Sequence, residues 1–259
     1  MYNAKLLYCV AKKCLERMTN DPITFTNQLL ATQYSNLALY MFYTGDNNYT
    51  EEIETYLHQA YEIRKNFPED IDSYCESCNN LSMFYETIDI TKARMYMDES
   101  LQLANRYYSI DSEKLIDIYI QNCSLLTVEK RYDEAHNFFQ LAYNVCKKIY
   151  GQDSIPYARI TICESHTYKI ENNDNKIISI LPRAINIYKS HNIENEDLVV
   201  AYKYYLQSLV KTNTAFETTK DVICDFHNLL LRLDNDYYVE DLNVVFESAK
   251  KYNLDLRFT

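Results

Sequence analysis

The chain has 259 residues, enough for two ordinary domains or one elongated array, and its 47% hydrophobic and 24% charged residues exclude a disordered chain. A formal charge of −11 repels phosphate backbones, which argues against general nucleic-acid binding, while acidity suits either a basic peptide or plain solubility. With only Gly45 and Gly151 as glycines, the tight turns of sheet proteins and the phosphate-cradling loops of nucleotide enzymes are excluded, leaving an all-helical chain with short polar connections.

The first predicted element is a helix over residues 2–18, in YNAKLLYCVAKKCLERM, an amphipathic stretch interrupted by Lys12 and Lys13. It is no signal peptide, and no run of eighteen apolar residues follows anywhere, so no membrane span is predicted. Thr24 to Tyr43 then shows apolar positions at helical spacing, which polar GDNN breaks. Glu51 to Phe67 resumes the pattern until Pro68-Glu69-Asp70 ends the pair of helices. The next pair begins with NNLSMFYETID, residues 79–89, and continues in ITKARMYMDESLQLA, residues 90–104.

Asparagine is a mediocre helix former, because its amide competes for backbone hydrogen bonds. Asn80 nonetheless has counterparts. Asn122 stands forty-two residues later and Glu164 another forty-two on, with Asn36 forty-four residues upstream and Gln207 forty-three beyond Glu164. A small residue follows two places after the anchor at Ala38, Ser82 and Ser124, before the register loosens at His166 and Leu209. Second helices keep their own register: Ile53, Ala93, Ala135 and Ile177 align, as do Ala60, Ser100, Ala142 and Ala184. From the second to the fourth repeat, anchor and second-helix residue are a constant thirteen apart, whereas GDNNY lengthens the first turn by four. Such self-similarity marks stacked helix pairs whose faces are buried by neighbours, with small residues letting axes approach. Five pairs are predicted over residues 20–233, with a capping helix at about 237–252 in a C-terminal segment, 234–259. Pro182 falls inside the second helix of the fourth pair and is expected to kink or restart it.

NNLSMFY resembles the first helix of tetratricopeptide repeats of the forty-two-residue, kinesin-light-chain-like type. RYDEAHNFFQLAYNVCKKIYGQDS, residues 131–154, resembles the second helix and connector, with Tyr132, Ala135, Ala142, Gly151 and Asp153 in the expected places. The likeness is strong in the second and third pairs and weak in the last two. It implies an all-α, right-handed α-α superhelix forming one domain over 1–259. Residues 1–19 read as a second helix without its first, so the chain is expected to be cut from a longer protein with further domains, or to open on an unusual cap.

The resemblance also implies a working surface. First helices line the concave side, where Asn36, Asn80 and Asn122 would hydrogen-bond the backbone of an extended peptide, since an amide both donates and accepts. Asn79, Glu76 and Thr32 would share the groove, with Leu39, Met83 and Leu125 as apolar pockets between rungs. The same amides would equally serve to fix packing between neighbouring pairs, because buried amides must find partners. Sequence leaves both readings open. Thr32, Ser35, Ile118 and Gln121 lack the basic residues of a carboxylate clamp.

Other chemistry finds no support. Cys75-Glu76-Ser77-Cys78 is half a zinc site without a second half, and reads as core. The eight cysteines show no disulfide-like clustering, which places the chain in a reducing cytoplasm. The five histidines form no metal or nucleophile motif. The expectation is a non-enzymatic scaffold, without cofactor or metal, that binds a protein or extended peptide and neither nucleic acid nor membrane. A ligand-sensing module of a larger bacterial signalling, peptide-pheromone or defence protein of the ATPase type is the alternative.

Overall fold

The computed structural model describes residues 27–44, 50–67, 70–213, 216–233 and 238–252. Among them every regular element is an α-helix: α1 (Asn27–Thr44), α2 (Thr50–Lys65), α3 (Ile71–Tyr85), α4 (Ile90–Tyr107), α5 (Lys114–Val128), α6 (Tyr132–Tyr150), α7 (Ile155–Ile170), α8 (Asp174–Ser190), α9 (Glu196–Thr212), α10 (Phe216–Arg232) and α11 (Val239–Lys251). The five anchors fall on α1, α3, α5, α7 and α9, the first helices of the five expected pairs, and α11 is the expected last helix. The helix expected over 2–18, the GDNNY turn and Pro68 lie outside the described residues. No described helix is long and apolar enough to cross a membrane. Two compact units divide between Glu129 and Lys130.

Short polar side chains cap the starts of several of these helices. Asp89 accepts from the backbone N–H groups of Thr91 and Lys92, Asp70 from Ser73, Ser154 from Tyr157, and Asn195 from Leu198, each satisfying an orphan donor of the first turn. Helix ends explain how the chain manages with so little glycine. Asn172, Asn192 and Asn213 take left-handed φ values of 61°, 53° and 50°, which asparagine tolerates better than most residues. Lys130 adopts the same conformation at the end of α5 (φ 61°). Gly151, after α6, stands at φ 84° and ψ 171°, a combination almost confined to glycine.

The repeat's small residues do what their spacing predicts. Ala38, Ala60, Ser82, Ala93, Ser100, Ala135 and Ala142 are fully buried. In the first unit they sit among tyrosines, whose hydroxyls need partners once desolvated. Tyr61 donates to Glu99 at 2.9 Å and Tyr74 donates to the same carboxylate. Tyr85 donates to Glu54 and stacks on Tyr96 with ring centroids 5.9 Å apart. Burial pushes the phenols of Tyr61, Tyr74 and Tyr85 upward, so they stay protonated donors. The buried Arg64 guanidinium donates to Ser35 (3.2 Å) and Ser77 (2.8 Å), tying α1 to α3. The second unit packs around Ile177, Leu181, Tyr188, Leu206, Phe226 and Leu230.

Two expectations are corrected. Pro182 does not restart its helix: α8 runs unbroken from Asp174 to Ser190, flanked at the proline by buried Leu181 and Ala184, whose packing outweighs one missing hydrogen bond. Ser124 is not a buried spacer; it is half-buried and donates to Glu86 at 2.7 Å.

Pro182→Ala restores the donor for the carbonyl of Ile178 and is expected to raise stability by about 1–3 kcal/mol in urea unfolding. Gly151→Ala is expected to cost about 1–3 kcal/mol in the same measurement. An added Cβ there meets nothing within 4 Å, so the whole loss would come from the backbone.

Candidate functional site

The residues expected to line a groove separate into two groups. On α1, Asn36 is exposed and Leu39 half-buried, while the Thr32 hydroxyl is engaged with its own helix, donating to the Gln28 carbonyl at 3.0 Å. On α3, Glu76 is 54% exposed and lies 3.5 Å from the Arg64 guanidinium. Asn79, Asn80 and Met83 are half-buried, and the Met83 sulfur accepts from the hydroxyl of exposed Tyr43 on α1 at 3.8 Å. The α1 and α3 faces therefore adjoin in the first unit. Asn79 Oδ1 and Asn80 Nδ2 are buried atoms without a hydrogen-bond partner.

Glu76 and Asn79 share a pocket of about 350 Å³ with Ser73, Tyr108, Lys114 and Ile118, between α3 and α5. On its rim Lys114 pairs with Asp72, which also accepts from Tyr108 at 2.7 Å. The Lys114 hydrogen bond, followed by that of Tyr108, holds the Asp72 carboxyl below its usual range. Sequence reading missed this pair, although Asp72 and Lys114 are one repeat apart at the same register, a signal that was present. Glu86, at the end of α3, accepts from Ser124 and Gln121, and burial pushes its carboxyl upward.

Asn122 and Leu125 belong elsewhere, which corrects their expected place in an open groove. Leu125 is completely buried in the first unit's core. Asn122 is 1% exposed, and its Oδ1 accepts from Arg94 Nη1 at 2.8 Å. Arg94, directly after the small residue Ala93 on α4, also grips Glu129 with two parallel hydrogen bonds of 2.9 and 2.7 Å. This planar fork is the geometry in which arginine binds a carboxylate most strongly.

The arrangement recurs one repeat later, within the second unit. His136, directly after Ala135, places Nδ1 3.2 Å from the anchor Glu164 and Nε2 3.0 Å from Glu171. Both clamps span the same sequence separations, 28 residues to the anchor and 35 to the carboxylate after the first helix. Glu164 is 5% exposed and accepts further bonds from Tyr143 (2.9 Å) and Tyr168 (3.2 Å). The register has no clamp at its ends. Glu54 holds the corresponding place on α2 and accepts from Tyr85, and Ile178 holds it on α8. Gln207 takes a hydrogen bond from Lys169.

Burial follows the clamps. Where a clamp reaches the anchor, as at Asn122 and Glu164, the anchor is buried and the residue two places on is not: Ser124 is half-buried and His166 exposed. Asn80 and Gln207, which no such clamp reaches, keep solvent contact while Ser82 and Leu209 are buried; Asn36 is likewise exposed and Ala38 buried. The thiols of Cys75 and Cys78 are free and buried, and burial pushes both pKa values up, which disfavours reactive thiolates. Among the described residues no group of three His, Cys, Asp or Glu side chains is placed to hold a metal ion.

No protein-family model matches the sequence, and no curated protein matches it. Among solved structures, the crystal structure of BtubC (BKLC) from P. vanneervenii is similar over 90% of this chain and 92% of its own, with a TM-score of 0.70 and 16% sequence identity. With the all-helical order and the buried small-residue register, this likeness shows a tetratricopeptide-like helical-repeat fold.

Proposed function

We propose that the chain is a non-enzymatic scaffold of the forty-two-residue tetratricopeptide kind, binding an extended protein segment on the first-helix face of its first unit. The surface comprises Asn36 and Leu39 on α1 and Glu76, Asn79, Asn80 and Met83 on α3, with Thr32 at its margin. Asn122 and Leu125 support it from below. One observation carries this reading: the neighbouring amides of Asn79 and Asn80 leave an acceptor and a donor unpaired. Unpaired buried polar atoms are costly and demand an explanation. A peptide unit offers the N–H and C=O that would satisfy both once these half-buried side chains turn outward, whatever its own side chains. No clamp joins α2 to Asn80 as Arg94 joins α4 to Asn122, which leaves the Asn80 amide for a partner. The net charge of −11 supports a protein rather than a nucleic-acid partner.

The test separates binding from folding. Peptides selected by display against the full chain are measured by calorimetry with two variants. The double substitution Asn79→Ala, Asn80→Ala is expected to weaken binding at least about tenfold, the loss of roughly 1.4 kcal/mol, with little change in melting temperature. Asn122→Ala is expected to do the reverse, costing about 1–3 kcal/mol of stability by removing the amide acceptor of Arg94 Nη1 while leaving affinity unchanged. Undiminished binding by the double variant would falsify the assignment of the surface.

A further inference from the structure

We propose that His136 is a proton-operated clamp between α6 and α7: as imidazolium it holds Glu164 and Glu171 together, and as neutral imidazole it must let go of one of them. The inference is independent of what the chain binds. It rests on the geometry of two equivalent sites. Arg94 offers a fork that is charged at every physiological pH; it hydrogen-bonds one carboxylate and one neutral amide, with Asp98 of its own helix 3.6 Å from Nη1. His136 occupies the equivalent place but faces two carboxylates, at 3.2 and 3.0 Å from its two ring nitrogens. Only the imidazolium carries an N–H on both nitrogens; the neutral ring has one N–H and turns a lone pair toward the other carboxylate.

The surroundings make that lone pair costly. The imidazole stacks on Tyr168 with centroids 4.4 Å apart, which limits its freedom to rotate away. From α7 and its end, the ionisable groups facing it are Glu164, Tyr168 and Glu171. On its own helix Tyr143 reaches Glu164, and Asp133 and Glu134 add negative charge near the start of α6. Arg131 is occupied by Glu134, through two hydrogen bonds of 2.7 Å. Lys130 lines a polar depression of about 640 Å³ together with Glu171. His136 is thus the cation in contact with both acids.

The hydrogen bond to Glu164 is the largest influence on His136 and raises its pKa; burial opposes it, Glu171 adds to it, and the net shift is upward. A histidine raised in the folded state contributes stability fully below its unfolded value near 6.5, and that contribution is lost as pH rises through the folded value. His166, exposed but partly desolvated by its neighbours and next to Lys169, and buried His227 are both lowered and act with the opposite sign, so the clamp must be read by difference.

Two measurements on the full chain test this. In an NMR titration, the His136 ring, assigned by its disappearance in His136→Arg, is expected to titrate above about pH 6.5. A midpoint at or below that value overturns the proposal. Thermal melting at about pH 6 and about pH 8.5 is then compared between wild type and His136→Arg, which makes the site permanently charged like that of Arg94. Wild type is expected to lose about 2–4 °C more than the variant on going to the higher pH. Equal losses in the two proteins contradict the clamp. The NMR midpoint decides alone if the arginine variant does not fold.

Discussion

A charged group brought out of water has to be met by its counterpart, and in this chain that constraint orders the junctions between helix pairs. The position directly after the small residue of a second helix points at the next first helix. Where it carries Arg94 or His136, a cation is half-buried against that helix and must find anions or amides within reach. Asn122 with Glu129, and Glu164 with Glu171, supply them seven residues apart, two turns on one helix face. The anchor is drawn into the interior in both cases. Because an α-helix turns about 100° per residue, burying the anchor carries the residue two places on toward solvent, as Ser124 and His166 illustrate.

The same constraint decides which amides remain for binding. Asn36, Asn80 and Asn122 look alike in sequence, but among the described residues Asn122 faces a cation from the preceding second helix and Asn80 does not. Glu54 precedes Asn80, and its carboxylate is taken by Tyr85. Of the three rungs, Asn122 is therefore a structural amide, whereas Asn80 has no such cation. The two clamps also differ in strength with pH: one is permanent, the other tied to the titration of a single ring.

The fold was largely legible because its signals are local and periodic. Scarce glycine, the thirteen-residue spacing and the small residues at 60, 93, 100, 135 and 142 all report backbone packing, and every one of those side chains is fully buried. Left-handed helix ends at Asn172, Asn192 and Asn213 show how the glycine shortage is met, though sequence reading did not assign them. The facing of each first helix was less legible. Register identifies equivalent positions but does not say how far a helix has turned about its axis, and that turn follows the partner of a residue on another helix. Ala93-Arg94 and Ala135-His136 contained the clue, but it needed the pairing with Glu129 and Glu171 to become visible. Tyrosines were given little weight as composition, yet Tyr61, Tyr74 and Tyr85 of the first core reach the half-buried carboxylates of Glu99 and Glu54.

The clamp is tested most directly by a double-mutant cycle on Arg94 and Asn122, with stabilities from urea unfolding of Arg94→Ala, Asn122→Ala and the combination. A coupling of about 1–2 kcal/mol is expected for two side chains that satisfy each other in a half-buried site. The same cycle on Glu54 and Asn80, which occupy the equivalent places without a shared hydrogen bond, is expected to give a coupling near zero. Independent, additive losses at Arg94 and Asn122 would contradict the clamp and return Asn122 to the surface.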